Sequence, residues 1–78
     1  MKMLRGGNIS GPQIRAFRLA RRMSQAELAE RMRQSGCMID QEAVSRMERG
    51  KRIVRDFELA VIADIFCVTV RQLTEPHP

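Results

Sequence analysis

Tryptophan and tyrosine are absent and phenylalanine occurs only three times, so an interior must be built from Leu, Ile, Val, Met and Ala, and helix is favoured over sheet. Cysteine occurs only as Cys37 and Cys67, with no CxxC pair and no Cys/His cluster. That leaves neither a disulfide framework nor a zinc site, and both read as buried or incidental thiols. The single histidine, His77, sits between prolines at the C-terminal end. No Gly-rich phosphate loop occurs and the carboxylates are scattered rather than paired for acid–base work, so neither enzymatic activity nor a cofactor is expected. No apolar run approaches membrane-spanning length, and the first residues lack the apolar core of a signal peptide. A cytoplasmic location without membrane contact is the expectation.

What is abundant is arginine. Lys and Arg number 14 against 9 Asp and Glu, for a formal charge of +5, and phosphate is the natural partner to consider first. The distribution is uneven: residues 1–55 carry 13 basic and 5 acidic side chains, whereas 56–78 carry 1 and 4. One pole of the molecule is expected to face an anion. The 78 residues are expected to make one compact domain, near the lower limit for independent stability, with no room for a second effector domain.

Residues 1–11 contain Gly6, Gly7, Asn8 and Gly11 and read as a flexible N-terminal arm, with Pro12 at the first position of a helix running to Arg22. Ile14, Phe17 and Ala20 share one face of it, and Arg15, Arg18, Arg21 and Arg22 occupy the rest. Ser24 and Glu27 have the spacing of a reciprocal capping box, which starts a second helix with Leu28, Ala29 and Met32 inward and Gly36 as its stop. Asp40 caps a third helix, Gln41 to Arg49, which buries Val44 and Met47 and ends at Gly50. It is short and mostly polar, so its outer side chains are free for recognition. A fourth helix, Asp56 to Phe66, has a clean inner face in Leu59, Ile62, Ala63 and Phe66. Thr69 and Gln72 cap a last short helix carrying Val70 and Leu73. The domain is thus expected over 12–75, with 76–78 as a frayed tail.

The stretch SQAELAERM…DQEAVSRMERGKR, from Ser24 into Lys51 and Arg52, resembles the Cro/Xre family of phage-repressor-like helix-turn-helix proteins. The similarity extends to Ile14-Arg15-Ala16-Phe17-Arg18 before it and to LAVIADIFCVTVRQL after it. The resemblance implies an all-α, five-helix lambda-repressor-like DNA-binding domain containing a helix-turn-helix. It also implies that the third helix reads base edges in the major groove while basic side chains hold the backbone.

By that resemblance, Gln41, Glu42, Ser45 and Arg46 are the base-contacting residues. The chemistry agrees: Gln41 suits adenine N6 and N7, Glu42 accepts from cytosine N4, and Arg46 suits guanine. For Glu42, simple stabilisation of the helix N-terminus stands as an equal reading. Ser24, Gln25, Arg49, Lys51 and Arg52 correspond to phosphate-contacting positions. The alternative for the last three is a solvated charge run. Arg18 and Glu48 match positions that the family uses for a salt bridge between helices one and three.

One departure from the family pattern stands out. Between Met32 and Gln41 this chain has about five residues more than a typical tight turn, so a longer second helix and a small loop around Gly36 to Asp40 are expected. Ile39 would anchor that loop, and Arg33 would add a phosphate contact. A loop-exposed Cys37 activated by Arg33 is a minor alternative to the buried thiol.

A second apolar stripe, Phe57, Val61 and Ile65, is a candidate homodimer interface, the alternative being that Met1, Met3 and Leu4 of the arm cover it. The expected function is a sequence-specific transcription regulator of double-stranded DNA, acting as a repressor by occupancy. The alternatives are an antitoxin that binds DNA and a partner toxin, and a protein-interaction module on the same fold.

Overall fold

The computed structural model describes residues 6–75 of the chain, with side chains from Ser10 onward. The expected arm residues Met1, Met3 and Leu4 and the tail with His77 lie outside the described residues. Among those residues the chain forms five helices and no strand: α1 (Gly6–Ala20), α2 (Gln25–Gln34), α3 (Gln41–Glu48), α4 (Asp56–Phe66) and α5 (Val70–Thr74). None is long and apolar enough to cross a membrane.

Four helices end in the same way, each by a reversal in the left-handed conformation followed by a bond back across the last turn. Gly36 (φ 96°) and Gly50 (φ 74°) make two of these reversals, and the amides of Cys37 and Lys51 then reach Met32 O (2.9 Å) and Arg46 O (2.8 Å). This is the Schellman arrangement, for which glycine is suited because it has no Cβ to clash. Arg22 (φ 54°) and Cys67 (φ 59°) hold the same conformation with a Cβ, at about 1 kcal/mol each.

The helix starts are also built locally. Thr69 and Gln72 form a full reciprocal box, with Gln72 N–H donating to Thr69 Oγ1 (3.1 Å) and Thr69 N–H to Gln72 Oε1 (2.9 Å). Only half of the box expected at α2 forms. Ser24 Oγ accepts from Glu27 N–H (3.0 Å), but the Glu27 carboxylate turns to Arg31 (3.2 Å), the cation one turn along.

α1 departs most from the sequence expectation. It begins at Gly6 rather than Pro12 and ends at Ala20 rather than Arg22, so residues 6–11 are helix, not arm. Pro12 therefore lies inside the helix, where it supplies no backbone donor. Packing overrides this poor local propensity: Ser10 is fully buried, and Gly11 lies directly on the backbone of α3.

The core is aliphatic, as the composition requires. Ile14, Leu28, Met32, Val44, Met47, Ile62, Phe66 and Leu73 are fully buried, with α1 packed on α3 and α5 and α2 packed on α3 and α4. Phe17 and Phe66 sit 6.2 Å apart between ring centres. Arg21 covers both, its guanidinium 5.3 Å from each centre, and donates to Phe66 O (2.7 Å). An arginine thus closes a core edge that the scarce aromatics leave open. Ala20, expected on the inner face of α1, is exposed.

A buried carboxylate joins the α3–α4 connection to α4. Glu58 accepts both arms of Arg52 (3.0 and 3.1 Å) and the Arg55 N–H (2.9 Å). Burial alone would raise its carboxyl, but the bonds from Arg52 and Arg55 and their charges outweigh it and hold the group below its ordinary value. A carboxyl depressed in the folded state stabilises fully above its unfolded value and loses that contribution as pH falls through the folded one. Stability is therefore expected to decline on acidification from near pH 4.5, the ordinary value of this carboxyl. Glu58→Gln should flatten that part of a urea-midpoint profile, and parallel profiles for the two proteins would show the assignment to be wrong.

Candidate nucleic-acid interface

α3 starts where Asp40 Oδ1 accepts the Ala43 N–H (2.9 Å). From there the helical period sorts its residues. Val44, Met47 and Glu48 are buried, Gln41, Glu42, Arg46 and Arg49 are exposed, and Ser45 is half-buried. The four residues expected to meet bases therefore share the outward side of one short helix. Arg46 lies 3.4 Å from Glu42 one turn earlier. An exposed pair of this kind contributes about 0.3–0.5 kcal/mol, so it orients Arg46 without holding it back from a stronger acceptor.

The inward side of α3 is held by a buried polar cluster. Arg18 Nε and Nη2 donate to Glu48 Oε2 (2.6 Å) and Oε1 (3.0 Å), and Nη1 donates to Met23 O (2.7 Å). Gln25 Nε2 adds a bond to Glu48 Oε1 (3.0 Å). The Arg18–Glu48 pair thus ties α1, the α1–α2 turn, the first residue of α2 and the end of α3 into a fixed relation.

The residues expected at phosphates divide. Arg49 and Lys51 are exposed beyond the end of α3, Arg49 making only a long contact to Ser45 O (3.4 Å). Arg52 is different: its fork is occupied by Glu58, which makes it a clamp within the fold. Ser24 spends its hydroxyl as a helix cap, and the Gln25 side chain points to Glu48 rather than outward. What the start of α2 leaves open is backbone, since the N–H groups of Gln25 and Ala26 have no partner among the described residues, as in any first helical turn. Sequence spacing gave no specific role to the exposed cations Arg22 and Arg55 or to the buried Glu58. For Glu58 a signal existed, because an acidic residue three positions after a helix cap is half of a capping box.

The connection from α2 to α3 is a fixed loop. Cys37 and Ile39 are buried on either side of Met38, which is 93% exposed. Ile39 N–H bonds Cys37 O (3.0 Å), closing a three-residue turn at Met38. Arg33, expected at a phosphate, instead donates to Ile39 O (2.7 Å) and pairs with Glu30 (2.6 Å). The α2 extension therefore serves to tether the loop. Burial raises the Cys37 thiol, and the Glu58 charge raises it further, so the reactive-thiol alternative falls: the group is both covered and held protonated. Among the described residues no group of three or more His, Cys, Asp or Glu is placed to hold a metal ion.

A family model described as helix-turn-helix matches residues 14–73. Among solved structures the chain is similar to the crystal structure of the DNA-binding domain of BldD, with 28% identity and a TM-score of 0.71 over 90% of this chain and 94% of that one. No curated protein matches. With the buried inner face of α3, its outward polar side and a family match over most of the length, the chain belongs to the Cro/C1-type helix-turn-helix family.

Proposed function

We propose that this protein is a transcription regulator that binds double-stranded DNA, with α3 laid in the major groove. The observation that carries this reading is the outward set Gln41, Glu42, Ser45 and Arg46 on a helix held rigidly from behind by Arg18 and Glu48. An α-helix fits that groove, and these side chains match base-edge donors and acceptors there. Arg49 and Lys51 supply backbone contacts at one end of α3, and the open amides of α2 supply an anion site at its own start.

The finer reading is repression by occupancy, as a homodimer on half-sites about 34–36 Å apart. Phe57, 55% exposed, is the part of the second α4 stripe most available to a second copy, because Val61 and Ile65 pack partly against the core. Selection of bound duplexes from a random pool tests the reading. A two-fold symmetric enriched site and affinity falling steeply with salt are expected; a flat salt response would reject it.

Side-chain roles separate in the same assay. Arg46→Ala should weaken the selected site by about 1–3 kcal/mol and relax preference at one base pair. Lys51→Ala should weaken selected and random duplexes alike and lower the salt slope by about one. Equal losses on both duplexes for Arg46→Ala would remove it from the reading set.

A further inference from the structure

The extended α2–α3 loop presents a side chain that the helix-turn-helix reading leaves unused. Met38 is 93% exposed, yet its neighbours Cys37 and Ile39 are 1% and 3% exposed. The turn closed by Ile39 N–H on Cys37 O and the Arg33 bond to Ile39 O fix where its backbone stands. It stands three positions before Gln41, so their Cα atoms are at most about 11 Å apart. An open recess of about 280 Å³ bounded by Arg33, Met38, Ile39 and Asp40 leaves the flexible thioether room to settle against a surface.

We infer that Met38 is a specificity-determining residue that packs on the methyl group of a thymine near the bases read by the start of α3. This rests on the DNA-binding reading proposed above. In the major groove, an apolar side chain can discriminate one base feature, the C5-methyl of thymine, because the other base-edge signals there are hydrogen-bond donors and acceptors. Base steps are about 3.4 Å apart along the helix, so the Cα atoms of Met38 and Gln41 stand within about three base steps of each other. The loop extension thereby adds a methyl-reading point beside the polar ones on α3.

The test uses the full chain and the duplex selected from the random pool, with each thymidine replaced in turn by deoxyuridine, which removes the methyl and leaves the Watson–Crick edge intact. Wild type should lose about four-fold in affinity at one position per half-site, the equivalent of about 0.8 kcal/mol for one methyl-sized group. Met38→Ala should bind the thymine and uracil duplexes equally at that position, and Met38→Leu should restore the difference. Because Met38 is exposed, these variants keep the fold, and a thermal melt checks that they do. If wild type binds the selected duplex but shows no uracil penalty, or if Met38→Ala keeps the penalty, the methyl contact is overturned while the DNA-binding reading stands. If no duplex is enriched and binding is absent at low salt, both fall together.

Discussion

Glu48→Ala is expected to lower stability by about 3–5 kcal/mol, because it leaves a buried guanidinium without its carboxylate. Arg18 and Glu48 are 7% and 6% exposed, so water cannot replace the lost partner, and Gln25 loses its acceptor as well. A domain of this size has roughly 4–12 kcal/mol in all, at 0.05–0.15 kcal/mol per residue, so the variant is expected to lose a quarter or more of its total stability. Urea unfolding with a fixed slope measures this. The informative control replaces both partners: Arg18→Met with Glu48→Leu removes the charges together and should be considerably more stable than Glu48→Ala alone. If the single variant loses less than about 1 kcal/mol, as an exposed pair would, then the cluster does not hold α3 in place.

Gly11→Ala is expected to destabilise by about 1–3 kcal/mol, the range for forced overpacking. The sign is the test. At an ordinary mid-helix position this change gains up to about 1 kcal/mol, because alanine is the better helix former. Here an added Cβ would stand 2.5 Å from Met47 O and 3.0 Å from Glu48 O, and both are backbone atoms that cannot swing aside. α1 and α3 must separate, so the midpoint of thermal unfolding should fall by about 4–8 °C per kcal/mol. DNA affinity should fall too, because the displaced helix is the one proposed above to carry the reading face. A raised midpoint would mean that the two helices do not touch at Gly11.

Much of the local architecture is legible along the chain. Ser24, Asp40 and Thr69 begin helices where a cap is expected, and Gly36 and Gly50 end them. The apolar spacing in α4 gives Leu59, Ile62, Ala63 and Phe66 as its inner face, because a helical period of 3.6 projects directly into burial. The pairing of Arg18 with Glu48 came from a resemblance, since no pattern local to either residue joins positions 30 apart in sequence.

Where the reading missed, a distant contact had overruled a local preference. The glycines and proline of residues 6–12 signal an arm, yet that stretch is helical and Gly11 lies on the backbone of α3. Arg33 and Arg52 read as free cations, yet Ile39 O with Glu30, and Glu58, occupy them.

Sequence alone determined where most helices start and stop, which faces are apolar, and that positive charge gathers in the N-terminal two-thirds, since each follows from spacing and composition within a few turns. Only the folded chain decided which arginines remain available to a phosphate and that Met38 stands exposed between two buried neighbours. Those outcomes depend on which groups meet across the core, and a guanidinium goes to the nearest desolvated carboxylate or carbonyl, whose position no local pattern records.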